Sequence, residues 1–199
     1  MEPVINHEIK KTPSTRKLIY GALKTIGARG LDGIKVTAPT LLIAFDLIEA
    51  FEAAVTGQRR QRVINELRRQ RLIDIHRDNE SLHITLSVSG IHRLQRLEIE
   101  NLIIPQPNHW DRRWRIVFFD VPLRHSKRRQ LFCLELRRLG FVMIQRSTWV
   151  HPYPCLDIID QMIRYFQLQR YVSSAEINYF DTITTERIKR AFSKPAHRA

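Results

Sequence analysis

The sequence predicts an α+β protein in two parts, and the order of its apolar patterns is the basis of that prediction. In the first half, three helical patterns precede a stretch in which apolar and polar residues alternate on both sides of the turn "RDNES". In the second half, the patterns follow the order β-α-β-β-α-β. The first order predicts a winged helix-turn-helix, and the second predicts a ferredoxin-like domain.

Apolar residues recur at helical spacing in four stretches of the first half. Pro39 lies just inside the second stretch, where a proline suits the first turn of a helix. The stretch "LIDIHRDNESLHITL" predicts a hairpin, because apolar and polar residues alternate around a polar turn. The predicted elements are helices over 14–27, 39–56, 58–71 and 88–101, with the hairpin over 72–86.

The stretch "IPQPNH", residues 104–109, separates the two parts, because it contains two prolines and no periodic pattern. After it, the apolar run 114–120 predicts a strand, and Gly140 closes the basic helix that follows. The predicted division is a winged-helix domain over 1–103, a linker over 104–109, a ferredoxin-like domain over 110–182, and a C-terminal helix and tail over 183–199.

The net charge of +13 and the pI near 10.4 favour an anionic partner, with nucleic acid as the first candidate. Residues 1–104 contain 16 Lys+Arg against 12 Asp+Glu, and residues 105–199 contain 17 against 8. The second half therefore has the larger excess of positive charge.

Several classes of protein are disfavoured by the composition. No apolar stretch approaches the roughly 20 residues of a membrane span, and "MEPVINHEIKK" lacks the apolar region of a secretory signal. Cys133 and Cys155 have neither the number nor the spacing of a disulfide framework or a zinc site. Nucleotide-binding and hydrolase motifs do not occur. We therefore expect a cytoplasmic protein with reduced thiols and no cofactor.

The helix predicted over 58–71 contains six arginines and one glutamate. At about 100° per residue, its apolar residues lie on one side, and Gln58, Arg62, Asn65 and Arg69 lie within roughly 60° of one another on the opposite side. Arginine, asparagine and glutamine can pair bidentately with guanine and adenine edges. A helix of this kind, placed before a wing-like hairpin, predicts a recognition helix rather than a merely solvated basic face. The candidate DNA contacts are Gln58, Arg59, Gln61, Arg62, Asn65, Arg68, Arg69 and, at the hairpin tip, Arg77 and Asn79.

The hairpin tip and the end of this helix leave two points open. Arg77 and Asn79 could reach phosphate or the minor groove, or they could form a plain polar turn. Arg71 stands where many such domains have a helix-ending glycine, so the exit from the helix is expected to be strained or longer.

The motif "WDRRWRIVFFDVP…KRR…LRRLGF…IQRSTWVHPYP" extends through the second half, within about residues 110–181. It resembles the central domain of PaaX-type transcriptional repressors, which is similar to the small Cas-two subunit of CRISPR adaptation complexes. The first half also fits the family's order, with "RVINELRRQRLIDI…ITLSVSG" ahead of the motif. The positions that carry the resemblance are Asp120, Lys127, Arg128, Arg129, Leu139, Gly140, Phe141, Gln145, Ser147 and Trp149.

The resemblance implies a regulator of transcription, of the repressor type, that binds double-stranded DNA and forms a homodimer through its Cas-two-like domain. The strand edge at "VSSAEINYF" also favours pairing, because an open edge has to be covered. Repressors of the PaaX type respond to an acyl-CoA ligand, so the resemblance implies a small-molecule effector, although no residue pattern identifies its pocket.

Asp120 has two interpretations. In Cas-two proteins the matching acid, contributed by both protomers, binds a metal, so the resemblance also implies an alternative function as a nuclease that cleaves RNA or DNA with Mg²⁺ or Mn²⁺. One carboxylate is a poor Mg²⁺ site, and no second acid follows in this strand or turn. The residues therefore favour a structural role, in which Asp120 caps the basic helix or pairs with Arg128. That role predicts lower thermal stability when Asp120 is removed.

Overall fold

The computed structural model describes residues 14–28, 34–37, 57–78 and 81–193. The helix predicted over 39–56 and the hairpin-tip residue Asn79 lie outside the described residues. The chain divides into two compact units, residues 1–97 and residues 98–199. Among the described helices, none is long and apolar enough to cross a membrane.

The described part of the first unit combines helices with a three-stranded antiparallel sheet. Ser14 caps the first helix, because its Oγ accepts a hydrogen bond from the Lys17 backbone N–H at 3.4 Å. The sheet has the strand order β1-β3-β2. The elements are α1 (Thr15–Gly27), β1 (Ile34–Thr37), α2 (Gly57–Arg69), β2 (Ile73–Asp78), β3 (Ser81–Leu86) and α3 (Val88–Glu100), which crosses the division between the units.

The predicted hairpin is confirmed as β2 and β3, which pair in antiparallel register with Ile75 opposite Ile84. Strand β1 is an addition that the sequence did not predict. It pairs with β3, and its Val36 lies opposite Leu82. Four residues are too few for an alternating pattern to be recognised, so the third strand is visible only in the structure.

The core of the first unit lies between α1, α2 and the sheet. Leu23 and Ile26 of α1, Val63 and Leu67 of α2, and Ile84 of β3 are all fully buried there. Helix α2 is therefore anchored along its apolar side, and its polar side remains outside the core.

The second unit contains a four-stranded antiparallel sheet in the order β5-β6-β4-β7, and the predicted succession β-α-β-β-α-β is confirmed. Ile99 and Ile104, which precede its first strand, are buried in its core. The elements are β4 (Trp114–Phe119), a 3-10 turn (Leu123–His125), α4 (Ser126–Arg138), β5 (Val142–Gln145), β6 (Thr148–His151), α5 (Leu156–Tyr165), β7 (Val172–Ile177) and α6 (Thr182–Ser193).

Gly140 ends the basic helix as predicted. Its φ of 90° lies in the left-handed region, which favours glycine. The Phe141 N–H donates to the Leu136 carbonyl at 2.9 Å, and the Gly140 N–H donates to the Arg137 carbonyl at 3.0 Å. These two bonds form a Schellman motif, which turns the chain into β5.

Both faces of the second sheet are occupied by helices. Phe132 of α4 and Ile159 of α5 belong to the core on one face, together with Val117 and Trp149 of the strands. On the other face, Ile188 of α6 is buried in a smaller core that includes Trp114 and Val150. The second unit is therefore a three-layer arrangement, with α6 as the third layer.

Candidate nucleic-acid interface

Helix α2 separates its apolar and polar residues as the helical period predicts. Val63, Ile64 and Leu67 are buried. The described polar side chains of the opposite side are all exposed, namely Gln58, Gln61, Arg62, Asn65, Arg68 and Arg69. The six therefore form one continuous surface, the α2 polar face. Arg59 and Arg77 belong to α2 and β2, but their side chains lie outside the described set.

Hydrogen bonds within α2 organise part of this face. The Arg69 guanidinium donates to Glu66 through Nε at 2.9 Å and through Nη2 at 2.6 Å, and Gln70 donates to the same carboxylate. The hydrogen bond from Arg69, followed by that from Gln70, lowers the pKa of Glu66 to about 2. Glu66 is therefore ionised at neutral pH and holds Arg69 along the helix. The sequence predicted Arg69 as a base-reading residue but did not predict this i,i+3 pair with Glu66.

The other residues of the α2 polar face differ in whether their side chains form hydrogen bonds or ion pairs. The Gln61 side chain donates to Asn65 Oδ1 at 2.9 Å, so both amides are oriented before any ligand binds. Within the described part of the chain, Arg62 and Arg68 have no carboxylate partner. Among the described side chains of α2, these two arginines are therefore the cations most available to an anionic partner.

The corner that follows α2 is held by close backbone packing. The Ser87 hydroxyl donates to the Arg71 carbonyl at 2.6 Å. The α carbon of Gly90 lies so close to Leu72 that an added Cβ would stand 1.9 Å from the Leu72 carbonyl oxygen. Only glycine fits there. This contact fixes the start of α3 against the exit from α2.

The strain expected at the end of α2 is present. Arg71 has a φ of 51°, in the left-handed region that residues with a Cβ seldom adopt. Replacing Arg71 with glycine should therefore stabilise the first unit by about 1 kcal/mol, since glycine adopts this conformation without the steric cost. Chemical denaturation followed by far-ultraviolet circular dichroism measures the change. An unchanged or lower midpoint in Arg71→Gly would contradict the assignment of strain to this residue.

Asp120 follows β4 at one end of the second sheet, and its surroundings correct the predicted role. Its backbone N–H donates to the Tyr171 carbonyl at 2.9 Å, but its carboxylate is exposed. Neither the 3-10 turn nor α4 has a side-chain capping hydrogen bond, and Arg128 is exposed without an ion pair to Asp120. The predicted cap and pair are therefore wrong. The 3-10 turn separates Asp120 from the start of α4, beyond the reach of an N-cap side chain.

Asp120 instead lines an open cleft of about 580 Å³. The other polar residues of the cleft come from the β5–β6 turn, the start of β6, and the segment that leads into and begins β7: Ser147, Thr148, Arg170, Tyr171 and Ser173. In the described part of the chain, no group of three or more His, Cys, Asp or Glu residues is placed to hold a metal ion. The cleft thus offers one carboxylate, one guanidinium and several hydroxyls.

Replacing Asp120 with alanine should leave the free energy of unfolding of the second unit unchanged to within about 0.5 kcal/mol, as is usual for exposed side chains without partners. This expectation is the opposite of the prediction made from the sequence, which was that removal of Asp120 lowers the stability. Urea denaturation of the wild type and of Asp120→Ala, followed by tryptophan fluorescence, decides between the two. A destabilisation well above 1 kcal/mol would restore the structural role.

The second unit also contains an extensively bonded arginine that was not among the residues predicted from the sequence. Arg115 of β4 is only 2% exposed. Its guanidinium donates to Asp111 Oδ1 and Glu176 Oε1 at 2.9 and 3.1 Å, and also to the Pro152 carbonyl at 3.1 Å. Nearby, burial lowers the pKa of His151 to about 4. These contacts join the start of β4 to β7 and to the end of β6, so their function is structural.

Comparison with known proteins identifies the second unit. Residues 107–188 match the family model described as the PaaX protein central Cas2-like domain. This range covers the whole four-stranded sheet and includes Asp120. The comparison with curated proteins found no match.

Proposed function

Because the chain carries this central domain and belongs to the PaaX-type family, we propose that it is a transcription regulator of the repressor type that binds double-stranded DNA. The observation that carries the proposal is the α2 polar face, where six exposed Arg, Asn and Gln side chains share one surface. These are the residue types that read base edges in the major groove. We propose α2 as the recognition helix of a winged-helix domain.

The packing of the first unit supports this assignment. Helix α2 is anchored to the core by Val63, Ile64 and Leu67, so its polar side can enter a groove without a loss of core packing. The β2–β3 hairpin follows α2 directly in the chain, which is the order that a winged-helix domain requires. Recognition helices work when a rigid scaffold presents three or four side chains to the bases.

The hydrogen bonds on α2 suggest how the residues divide their tasks. The paired amides of Gln61 and Asn65 present a fixed donor and acceptor pattern, which suits base reading. Arg62 and Arg68 have no carboxylate partner among the described residues and supply charge for phosphate or guanine. Arg69 has to exchange its bonds with Glu66 for bonds with DNA, so its net contribution is smaller than that of Arg62.

We further propose a homodimer assembled through the Cas2-like unit, and a small-molecule effector that modulates DNA binding. Many helix-turn-helix regulators read two half-sites whose symmetry mirrors their own. Two copies of the α2 polar face on one molecule would double the base contacts. Sedimentation at micromolar concentration should give twice the 23.6 kDa mass of the chain.

A second candidate function, metal-dependent cleavage of RNA or DNA, is favoured by one observation. Asp120 is exposed in a cleft with hydroxyl-bearing residues rather than engaged in the fold. Two-metal phosphodiester cleavage generally uses several carboxylates, and a dimer would bring two. Incubation with RNA and DNA in Mg²⁺, Mn²⁺ or EDTA, using the wild type and Asp120→Ala, distinguishes this function from regulation by binding.

The experiment that tests the main proposal is selection of genomic fragments by the purified protein, followed by footprinting. We expect a discrete protected site, with binding that weakens as salt rises because phosphate contacts release counterions. Equal affinity for all duplexes, without a protected site, would contradict a sequence-reading regulator.

A further inference from the structure

The two edges of the second sheet differ in how they are protected. Strand β5, at one edge, has four residues and a register irregularity between Met143 and Gln145. The carbonyl of Ile144 also accepts a hydrogen bond from Arg187 Nη2 of α6 at 3.0 Å. A short strand, a bulge and a covering cation are the usual devices that prevent an edge from pairing. The β5 edge is therefore closed.

Strand β7, at the other edge, has none of these devices. It has six residues, "VSSAEI", without proline or lysine, and it pairs with β4 in continuous register from Val172 to Ile177. Its one charged residue, Glu176, accepts hydrogen bonds from Arg113 and Arg115. No described strand pairs with the outer side of β7. This edge is long, regular and nearly neutral in an otherwise basic chain.

The hydrogen-bond pattern shows which backbone groups of β7 point outward. The Asp120 N–H donates to Tyr171 on the β7 side, whereas the Phe119 N–H donates to Ser147 on the β6 side. Because antiparallel strands alternate, Ser173 and Ala175 direct their N–H and C=O groups toward β4. Ser174 and Glu176 therefore direct theirs outward, away from the sheet.

Exposed apolar side chains occur on the strand that pairs with β7 and in the segment that follows it. Phe118, which lies opposite Ser173 on β4, is 44% exposed. Tyr179 and Ile183, which follow β7, are 77% and 81% exposed. An open strand edge is suited to a partner strand, and a partner chain could also cover exposed apolar side chains in the neighbouring segments.

We propose that the β7 edge is the homodimer interface, in which the β7 strands of two copies pair in antiparallel fashion through Ser174 and Glu176. A second copy fits because antiparallel strands related by a two-fold axis exchange identical groups, so the edge complements itself. Helices α4 and α5 cover one face of the sheet and α6 covers part of the other, and no described strand pairs with the outer edge of β7. This inference rests on the proposed dimer and specifies its surface.

A proline at position 174 tests the interface. Ser174→Pro removes an outward N–H and leaves the bonds between β7 and β4 in place, which edge strands tolerate. We expect the dimer dissociation constant to rise on the order of tenfold or more, because two intermolecular hydrogen bonds are lost per dimer. Ser174→Ala, which keeps the N–H, is the matched control and should remain dimeric. Sedimentation measures the dissociation constants, and tryptophan fluorescence verifies the fold.

Hydrogen exchange of the wild type gives a test that needs no variant. The amides of Ser174 and Glu176 should be protected at dimer concentrations and should exchange rapidly on dilution, while those of Ser173 and Ala175 stay protected throughout. A dimer that persists in Ser174→Pro, with these amides unprotected, would overturn the β7 interface and leave the proposed dimer to another surface. A monomeric wild type would overturn both the β7 interface and the proposed dimer. It would not bear on DNA binding by α2, which the DNA-affinity measurements test separately.

Discussion

Replacing Arg62 and Arg69 together with alanine should weaken binding to the selected DNA site by roughly 30-fold or more. Base contacts are each worth about 1 to 3 kcal/mol, and the two losses combine on one face of α2. Both side chains are exposed and outside the core, so the fold of the first unit should be retained. Fluorescence anisotropy with a labelled duplex at fixed salt measures the dissociation constants.

The matched control for this prediction is a double variant of the second unit. Arg164 and Arg190 are exposed, and each pairs with an acid one turn earlier on its helix. Replacing them with alanine also removes two positive charges, but from a region outside the α2 polar face. If net charge alone drives binding, both double variants will weaken it equally. Equal affinities for the wild type and the Arg62/Arg69 variant would contradict the recognition helix.

Replacing Arg115 with alanine should destabilise the second unit by about 3 kcal/mol. The change removes a buried guanidinium and leaves the carboxylates of Asp111 and Glu176 and the Pro152 carbonyl without their donor. Breaking a buried pair costs about 3 to 5 kcal/mol, and the lower end applies because the two carboxylates are partly exposed.

The three tryptophans of the chain all lie in the second unit, so tryptophan fluorescence during urea denaturation isolates its unfolding. Arg164→Ala, which breaks an exposed pair with Asp160, is the comparison and should cost less than about 0.5 kcal/mol. Similar losses for Arg115→Ala and Arg164→Ala would show that the buried network does not hold β4 to β7.

The elements that the sequence predicted well are those whose apolar period is long and regular. The apolar side of α2 was assigned correctly because its three buried residues, Val63, Ile64 and Leu67, follow the helical spacing among strongly polar neighbours. Gly140 was also placed correctly, since a glycine after a basic last turn is typical of a helix end. The helical period shows which side chains of a helix face the core, and the glycine marks where the helix ends. Neither feature depends on contacts with distant residues.

The features that the sequence missed depend on contacts between distant or closely spaced polar groups. The role predicted for Asp120 was wrong because a 3-10 turn lies between Asp120 and α4. Such a short turn has no periodic pattern of apolar residues from which it could be predicted. The Arg115 network was missed because arginine usually indicates solvent. Its position between Trp114 and Ile116 in a buried strand was the available clue, since a buried cation requires acids nearby.

The sequence predicted which residues form the candidate site, but it did not predict the hydrogen bonds between them. The composition of the α2 polar face follows from the helical period, but the bonds of Arg69 to Glu66 and of Gln61 to Asn65 depend on rotamers, which the sequence does not encode locally. The structure therefore distinguishes residues that the sequence treated alike. Arg62 and Arg68 have no described carboxylate partner, while Arg69 does.

The most direct test of the recognition helix is the specificity ratio of Asn65→Ala. This ratio compares the affinity for the footprinted site with that for a scrambled duplex of equal length, at the same salt. An asparagine that pairs with adenine contributes about 1 to 3 kcal/mol of discrimination and no charge, so the ratio should fall roughly tenfold while affinity for the scrambled duplex stays unchanged. An unchanged ratio, or an equal loss on both duplexes, would contradict base reading by α2.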